Sequence, residues 1–206
     1  MIGFYNYTVI LTYLSLASAV AGIFLAVNGN PLEAIWALLL SGLCDLFDGR
    51  VASTKKDRTA NERAFGIQID SLCDAVAFGV LPAVIAYCSG FNNTYFLPLL
   101  IFFVLAAIIR LAYFNVTEEE RQQTTTERRR YFLGLPVTSS AIILPFFFCL
   151  MHIFGGIFKW VFFAAFASVG ILFITPIKVT KANAFTSVLY IILGIAEFIC
   201  LLVASF

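Results

Sequence analysis

Long apolar runs alternate with short polar connections along the chain. Each run is long enough to cross a hydrocarbon layer of about 30 Å as a helix that rises about 1.5 Å per residue. Turn-forming residues separate the runs, and Pro136 and Pro145 leave room for a break or a re-entrant piece in the fifth. The pattern predicts seven membrane-spanning helices, at residues 7–28, 31–49, 67–90, 94–114, 132–154, 156–176 and 184–206.

Composition supports lipid as the main solvent of the chain. Of the 206 residues, 61% are hydrophobic and 12% are charged, whereas a water-soluble globule carries roughly a quarter charged residues. We therefore exclude a soluble enzyme, a disordered chain and a secreted scaffold. We expect one all-α polytopic membrane domain over residues 1–206, a helical bundle whose 23 phenylalanines face lipid.

Cysteines and net charge add little to this assignment. The five cysteines lie scattered in apolar segments and predict neither a disulfide framework nor a zinc site. The formal net charge of +1 gives no indication of nucleic-acid binding, because the basic residues lie between apolar spans.

Basic residues predict the orientation, since cytoplasmic loops retain lysine and arginine. With the N-terminus inside, the second, fourth and sixth connections are cytoplasmic and carry nearly all of them. These are Arg50, Lys55, Lys56, Arg58, Arg63, Arg121, Arg128, Arg129, Arg130, Lys178 and Lys181.

Four of the five aspartates form one pattern across the second and third predicted helices. Asp45 and Asp48 are three residues apart, and Asp70 and Asp74 are four apart, so each pair shares a helix face. The two pairs are predicted to face one another across the hairpin of residues 45–74.

Carboxylates in this position need compensation. Each costs about 2.5 to 3.5 kcal/mol at a helix centre on insertion scales, and neighbouring anions repel. Among the basic residues, Arg110 alone lies well inside a predicted helix, so bound cations explain the acids better than salt bridges do. Ligands that are all carboxylate oxygen suit Mg²⁺, Mn²⁺ or Ca²⁺, and four acids can hold two ions.

The depth of the acids indicates the kind of chemistry. Asp48 and Asp70 lie close to the basic connection and therefore near the cytoplasmic surface, whereas an ion pathway is more typical of mid-membrane. Metals at headgroup level indicate chemistry on a phosphorylated lipid with a water-soluble second substrate.

At these residues the sequence resembles the CDP-alcohol phosphotransferase family, whose signature is D-x-x-D-G-x-x-A-R followed by G-x-x-x-D-x-x-x-D. Here the signature begins at Asp45-Leu-Phe-Asp48-Gly49 and resumes at Gly66-Ile-Gln-Ile-Asp70. The resemblance implies a membrane enzyme with a six-helix core and a homodimer.

Two features depart from the signature. Ser53 stands where the family has an arginine associated with the substrate's phosphates, and the spacer to Gly66 is longer than usual by four residues. Either Arg50, Lys55 or Lys56 supplies the missing charge, or the position carries a substitution.

Other segments look most like the family branch that uses serine. They include Arg110-Leu-Ala-Tyr-Phe-Asn115 and Gly134-Leu-Pro136. The resemblance implies transfer of a phosphatidyl group from CDP-diacylglycerol to L-serine at the inner face of a bacterial-type cell membrane. A guanidinium can bind a carboxylate bidentately, so Arg110 and Asn115 are the expected serine-binding residues; the alternative for Arg110 is a structural partner of an aspartate.

The resemblance also implies roles for the signature residues. Asp45, Asp48 and Asp70 would hold Mg²⁺ or Mn²⁺, and Asp74 would be the general base that also touches the second ion. The nucleotide and phosphates would lie against Gly49, Arg50, Ala52, Ser53 and Gly66.

Two other functions stay open from the residues. A sister enzyme would use a phosphate-bearing acceptor, glycerol 3-phosphate or inositol phosphate, and would need several basic residues beside the acids. A divalent-cation transporter would use the four acids as a pathway and would need a polar route to the outer face.

Overall fold

The computed structural model describes residues 3–124 and 131–180 together with residue 194. It is built almost entirely of helices, which confirms the all-α membrane fold. Its α-helices are α1 (Ile10–Val27), α2 (Pro31–Thr54), α3 (Ala60–Asp74), α4 (Leu81–Cys88), α5 (Leu97–Thr124), α6 (Ser140–Phe154) and α7 (Phe158–Ile174).

Short elements join and extend these helices. Turns of 3₁₀ helix at Tyr7–Val9 and Val137–Ser139 precede α1 and α6, and a π-helical segment, Ala75–Val80, joins α3 to α4. Strands β1 (Tyr131–Leu133) and β2 (Lys178–Thr180) form a small antiparallel ribbon in which Phe132 pairs with Val179.

Four helical segments of the described chain are long and apolar enough to cross a membrane. They are Tyr7–Val27, Ala60–Cys88, Leu97–Arg121 and Val137–Phe154. Helix α7 is apolar but shorter, with 17 residues. Helix α2 has 24 residues, about 36 Å at 1.5 Å per residue, and carries Glu33, Asp45 and Asp48.

Several predicted boundaries need correction. Helix α2 continues to Thr54, past the predicted end at residue 49, and α3 begins at Ala60 rather than at residue 67. The fifth predicted span becomes helical only at Val137, because Gly134 adopts a positive φ of 79° and Pro136 follows it. An apolar run marks only the part of a helix that lies in lipid, and α2 and α3 both extend beyond their apolar runs into the polar connection.

Part of the predicted pattern falls outside the described residues. This applies to Arg128, Arg129, Arg130, Lys181 and the seventh span at 184–206, apart from Gly194.

The expectation that the phenylalanines face lipid is wrong for a group of them. Among the described residues, seven phenylalanine side chains are fully buried, and the rings of Phe103 on α5 and Phe166 on α7 stack with their centroids 4.1 Å apart. Aromatic contacts therefore hold α5 to α7 inside the bundle. The seven are Phe78, Phe91, Phe103, Phe148, Phe162, Phe166 and Phe173.

Small residues let α1 approach α2 closely. The Ser41 hydroxyl donates to the Ser15 carbonyl at 2.9 Å, and the Ser15 hydroxyl donates to the Ser41 carbonyl at 3.3 Å. A Cβ added at Gly22 would lie 2.8 Å from the Ala37 Cβ. Such contacts are typical of helix packing in lipid, where apolar burial alone gives little driving force between helices. They fix α2, which carries two of the acids.

The π-helical segment after Asp74 has a cause in the sequence. Pro82 has no N–H to donate to the Phe78 carbonyl one turn earlier. The N–H of the preceding residue, Leu81, donates five residues back to the Val76 carbonyl, which is the π-helical pattern. The Ser140 hydroxyl of α6 donates to the freed Phe78 carbonyl at 3.1 Å. Since both residues are fully buried, this bond satisfies a carbonyl that has no access to water.

We expect Ser140→Ala to lower the free energy of unfolding by about 1 to 3 kcal/mol, because it leaves the buried Phe78 carbonyl without a donor. The measurement is the thermal unfolding midpoint of the purified protein in detergent. Ser168→Ala is the matched control, since the exposed Ser168 hydroxyl donates to the Ala164 carbonyl of its own helix. Equal midpoints for the two variants would contradict this account.

Candidate active site

Helices α2 and α3 bring three aspartates to one point. Asp45 lies on α2, and Asp70 and Asp74 lie one turn apart on α3. One carboxylate oxygen from each lies within 4.8 Å of the other two. Asp74 is buried, with 8% of its surface exposed, and the other two are half-buried.

Asp48 joins this group from the side of α1. It lines a cleft together with Asp70, and its Oδ2 accepts a hydrogen bond of 3.4 Å from the Thr12 hydroxyl. The structure thus brings all four acids of the 45–74 hairpin together, which we call the acidic cluster. The roles of its members stay a prediction.

The acidic cluster has the properties of a cation site. The Asp70 Oδ1 atom is buried and has no hydrogen-bond partner in the part of the chain that the structure describes. None of the four carboxylates forms an ion pair with a lysine or arginine of the described chain. Anions this close at low dielectric are strongly unfavourable without positive charge, and carboxylate oxygens are ligands for hard divalent cations. The donor set therefore fits a divalent metal.

A cleft of about 320 Å³ opens beside the acidic cluster. Residues of α1, α2, α3 and the α2–α3 connection form its walls, so it combines acids, glycines and guanidinium groups. The lining residues are Thr8, Val9, Thr12, Asp48, Gly49, Ala52, Arg58, Arg63, Gly66, Ile67 and Asp70.

The five residues expected near the nucleotide divide into two groups. Gly49, Ala52 and Gly66 line the cleft. Arg50 and Ser53 lie outside the lining: the Arg50 guanidinium stands 5.8 Å from the centroid of the Phe47 ring, and the exposed Ser53 hydroxyl donates to the Arg50 carbonyl at 2.7 Å.

Sequence reasoning missed Thr12, Arg58 and Arg63 as cleft residues. Thr12 is one polar side chain in an apolar run, which gives no signal of its own. The two arginines were visible as part of the basic connection, but their charge served only to predict orientation.

Glu62 fixes the connection between α2 and α3. Its carboxylate accepts from the Lys55 ammonium at 2.8 Å, from the Thr59 N–H at 2.8 Å and from the Asn6 amide at 3.2 Å. The Thr59 hydroxyl accepts from the Glu62 N–H, which completes a capping box at the start of α3. The hydrogen bond to Glu62 raises the pKa of Lys55 above its usual value. The Lys55 ammonium is therefore paired with Glu62 and does not line the cleft.

The expected serine-binding residues, Arg110 and Asn115, lie on α5. Asn115 is close to the acidic cluster. Its Oδ1 accepts a hydrogen bond of 3.0 Å from the Ser71 hydroxyl, next to Asp70. Arg110 is 7% exposed, and its guanidinium stands 5.7 Å from the Phe114 ring centroid. A Cβ added at Gly134 would lie 3.1 Å from the Arg110 Nε.

We expect Asp45→Asn to weaken Mn²⁺ binding by at least about 100-fold, because even residues that only orient metal ligands are typically worth about 10- to 100-fold. Calorimetric titration of the detergent-solubilised protein with Mn²⁺ measures this. Asp57→Asn is the control, since Asp57 is the one aspartate outside the cluster and is exposed. Equal affinities for both variants would exclude a metal site at the cluster.

Comparisons with known proteins find related sequences. The family model described as CDP-alcohol phosphatidyltransferase matches residues 5–172. A CDP-diacylglycerol--serine O-phosphatidyltransferase of Saccharomyces cerevisiae is 36% identical over 165 residues, which are 78% of this chain and 58% of the relative. The enzyme of the same name from Helicobacter pylori is 30% identical over 181 residues, or 84% of this chain and 71% of the relative.

An archaeal relative matches over a shorter stretch. An archaetidylserine synthase of Methanothermobacter thermautotrophicus is 32% identical over 135 residues, which are 65% of this chain and 53% of the relative. The chain thus spans little more than half the length of the yeast and archaeal relatives.

Proposed function

Since the chain belongs to the CDP-alcohol phosphatidyltransferase family, we propose that it transfers the phosphatidyl group of CDP-diacylglycerol to the hydroxyl of L-serine. The products are phosphatidylserine and CMP. The observation that carries this proposal is the acidic cluster, in which oxygens of Asp45, Asp70 and Asp74 converge within 4.8 Å beside an open cleft. The names of the yeast and Helicobacter relatives support serine as the acceptor.

Asp45, Asp48, Asp70 and Asp74 are the residues that would hold the metal, Mg²⁺ or Mn²⁺, with two ions for four acids. When bound, such cations neutralise the charge that develops on transferring phosphates. Ca²⁺ takes the same oxygen ligands and is the remaining candidate.

Asp74 is the proposed general base. Its carboxylate takes the proton of the serine hydroxyl, and the serine oxygen forms a bond to the lipid-side phosphorus. The bond from that phosphorus to the CMP oxygen breaks, and CMP leaves with the bonding electrons. Asp74 is 8% exposed, and Cys73 and Ala77 in the same stretch of chain are also buried. This burial limits the access of water that would otherwise hydrolyse the lipid nucleotide.

The cleft provides the proposed nucleotide site. Gly49 has no neighbouring atom within 4 Å of the position that a Cβ would take, so its backbone is open to a ligand. Ala52 lies one turn further along α2 and also lines the cleft. Arg50 and Ser53 stay predicted phosphate contacts that lie outside its lining.

Arg110 and Asn115 are the proposed serine-binding residues. The hydrogen bond between Ser71 and Asn115 ties α5 to α3 between Asp70 and Asp74, which brings an amide close to the proposed base. Arg110, which is buried one turn earlier on α5, would pair with the serine carboxylate.

The packing beyond the acidic cluster favours a transferase over a cation transporter. Towards the bundle end opposite the α2–α3 connection, α2 buries Ile35 and Leu38 and the segment after Asp74 buries Phe78 and Leu81. These side chains present an apolar barrier to a hydrated ion.

We also propose that the cleft faces the cytoplasm and that the protein is a homodimer. The basic residues Lys55, Lys56 and Arg58 in the α2–α3 connection support the first statement. The second rests on the family resemblance.

The acceptor is tested with purified protein, CDP-diacylglycerol, Mn²⁺ and a panel of alcohols, scored for CMP. We expect turnover with L-serine to exceed that with glycerol 3-phosphate or inositol phosphate by at least about 100-fold, since a single arginine that pairs one carboxylate leaves part of the charge and the oxygens of a phosphate dianion unpaired. Faster turnover with either phosphate-bearing acceptor would identify a sister enzyme instead. Mn²⁺ uptake into proteoliposomes without CDP-lipid would support the transporter.

Asp74→Asn is expected to lower the rate of CMP release with serine by about 100- to 10,000-fold, the usual contribution of a general base. The amide is close in size to the carboxylate, so the variant should stay folded. Because Asp74 is also a proposed metal ligand, CMP release is measured at an Mn²⁺ concentration that saturates the variant. The unfolding midpoint then shows that the variant is folded, so that loss of the base is separated from loss of the site. Turnover equal to that of Asp57→Asn would remove the assignment of Asp74 as the base.

A further inference from the structure

We propose that Arg58 binds the phosphates of CDP-diacylglycerol and takes the part that the family signature gives to an arginine at position 53. This inference rests on the proposed function. It concerns how this particular chain supplies positive charge to its cleft.

Arg58 lines the cleft, and its guanidinium is not fully paired. Its Nη2 donates to the Glu62 carbonyl at 3.2 Å, whereas its Nε is buried and has no acceptor among the described residues. A buried guanidinium N–H without an acceptor is costly. Since the residue is half-buried and lines the cleft, its side chain can turn toward an anion there, which would supply the acceptor. A phosphate matches the planar geometry of the guanidinium.

The guanidinium of Arg58 lies directly against the signature glycine of α3. A Cβ added at Gly66 would be 2.5 Å from Nη2, so the absence of a side chain at residue 66 makes room for it. Asp70, a member of the acidic cluster, follows one turn later on the same helix. Arg58 therefore lines the cleft beside Gly66, one helical turn before Asp70.

Arg58 does not neutralise the acids beside it. It forms no ion pair with Asp48 or Asp70, although all three line the same cleft. The cleft thus keeps carboxylates and a guanidinium apart. This separation suits a pyrophosphate with bound metal, whose phosphate oxygens would face the arginine and whose metal would face the acids.

Local structure holds Arg58 in place. It directly precedes Thr59, the N-cap of α3, and Glu62 closes the capping box while binding Lys55 and Asn6. The connection that contains Arg58 is also the part of the signature that is longer than usual. The two differences from the signature are therefore linked. The longer connection places the positive charge of Arg58 at the site where Ser53 has replaced the signature arginine.

The other basic residues in and beside the α2–α3 connection fit this role less well. Lys55 is bound to Glu62, Arg50 lies over the Phe47 ring, and Lys56 is exposed; none of them lines the cleft. Arg63 does line it but is exposed. Of the two arginines that line the cleft, Arg58 is the half-buried one, so its charge is less screened by water.

The test is steady-state kinetics of CMP release with CDP-diacylglycerol varied in mixed micelles. We expect Arg58→Ala to raise KM for CDP-diacylglycerol about 10- to 100-fold, the usual worth of a charge-assisted hydrogen bond, with KM for serine unchanged. Lys56→Ala, the matched control, should keep the wild-type KM. Adding Ser53→Arg to Arg58→Ala should recover at least about tenfold of the loss.

A KM for CDP-diacylglycerol within about twofold of wild type in a folded Arg58→Ala protein would overturn the inference and leave the proposed function standing. If Arg58→Ala does not fold, Arg58→Lys and Arg58→Gln replace it, and the lysine variant should bind more tightly than the glutamine variant. Equal KM values for these two would also overturn it.

Failure of the proposed function has a separate signature. If the wild-type protein releases no CMP with any alcohol, calorimetric titration with CDP in the presence of Mn²⁺ still tests Arg58. Weaker CDP binding by Arg58→Ala than by Lys56→Ala supports the inference, and equal binding overturns it.

Discussion

Four carboxylates held together between helices are the constraint on which this molecule depends. Oxygens of Asp45, Asp70 and Asp74 lie within 4.8 Å of one another, at a cost that neighbouring side chains do not offset, since the cluster has no ion pair with a described lysine or arginine. Such an arrangement is favourable only with cations present. The bundle therefore has to bring α2 and α3 together against electrostatic repulsion and leave a way in for a charged ligand.

The packing that supplies this support lies away from the acids. Reciprocal hydrogen bonds between Ser15 and Ser41 join α1 to α2, and the Ser140 hydroxyl satisfies the Phe78 carbonyl in the π-helical segment that follows Asp74. A π-helical turn inserts extra backbone into a helix. It thereby adjusts the direction in which Asp70 and Asp74 face relative to the apolar side chains of α4, which fill the bundle core.

The sequence predicted the membrane fold and the pairing of acids because both follow from periodicity. Apolar runs gave the helices within several residues, and the spacing of Asp70 and Asp74 placed them on one face. Periodicity carries no information about how far a helix extends beyond lipid, so the ends of α2 and α3 were misplaced. It also gave no signal for the π-helical segment, which depends on Pro82, or for Thr12, whose partner Asp48 lies on another helix.

The position of Arg58 shows why a motif is better understood as a charge distribution than as a series of letters. Ser53 lies on the exposed end of α2, where its hydroxyl binds the backbone of the same helix. Arg58 reaches the cleft from the connection, next to Gly66, because Glu62 and Thr59 fix the turn that leads into α3. A phosphate group responds to the field and the hydrogen-bond donors at its own location. A guanidinium that enters from the connection therefore meets the same electrostatic requirement as one carried on the helix.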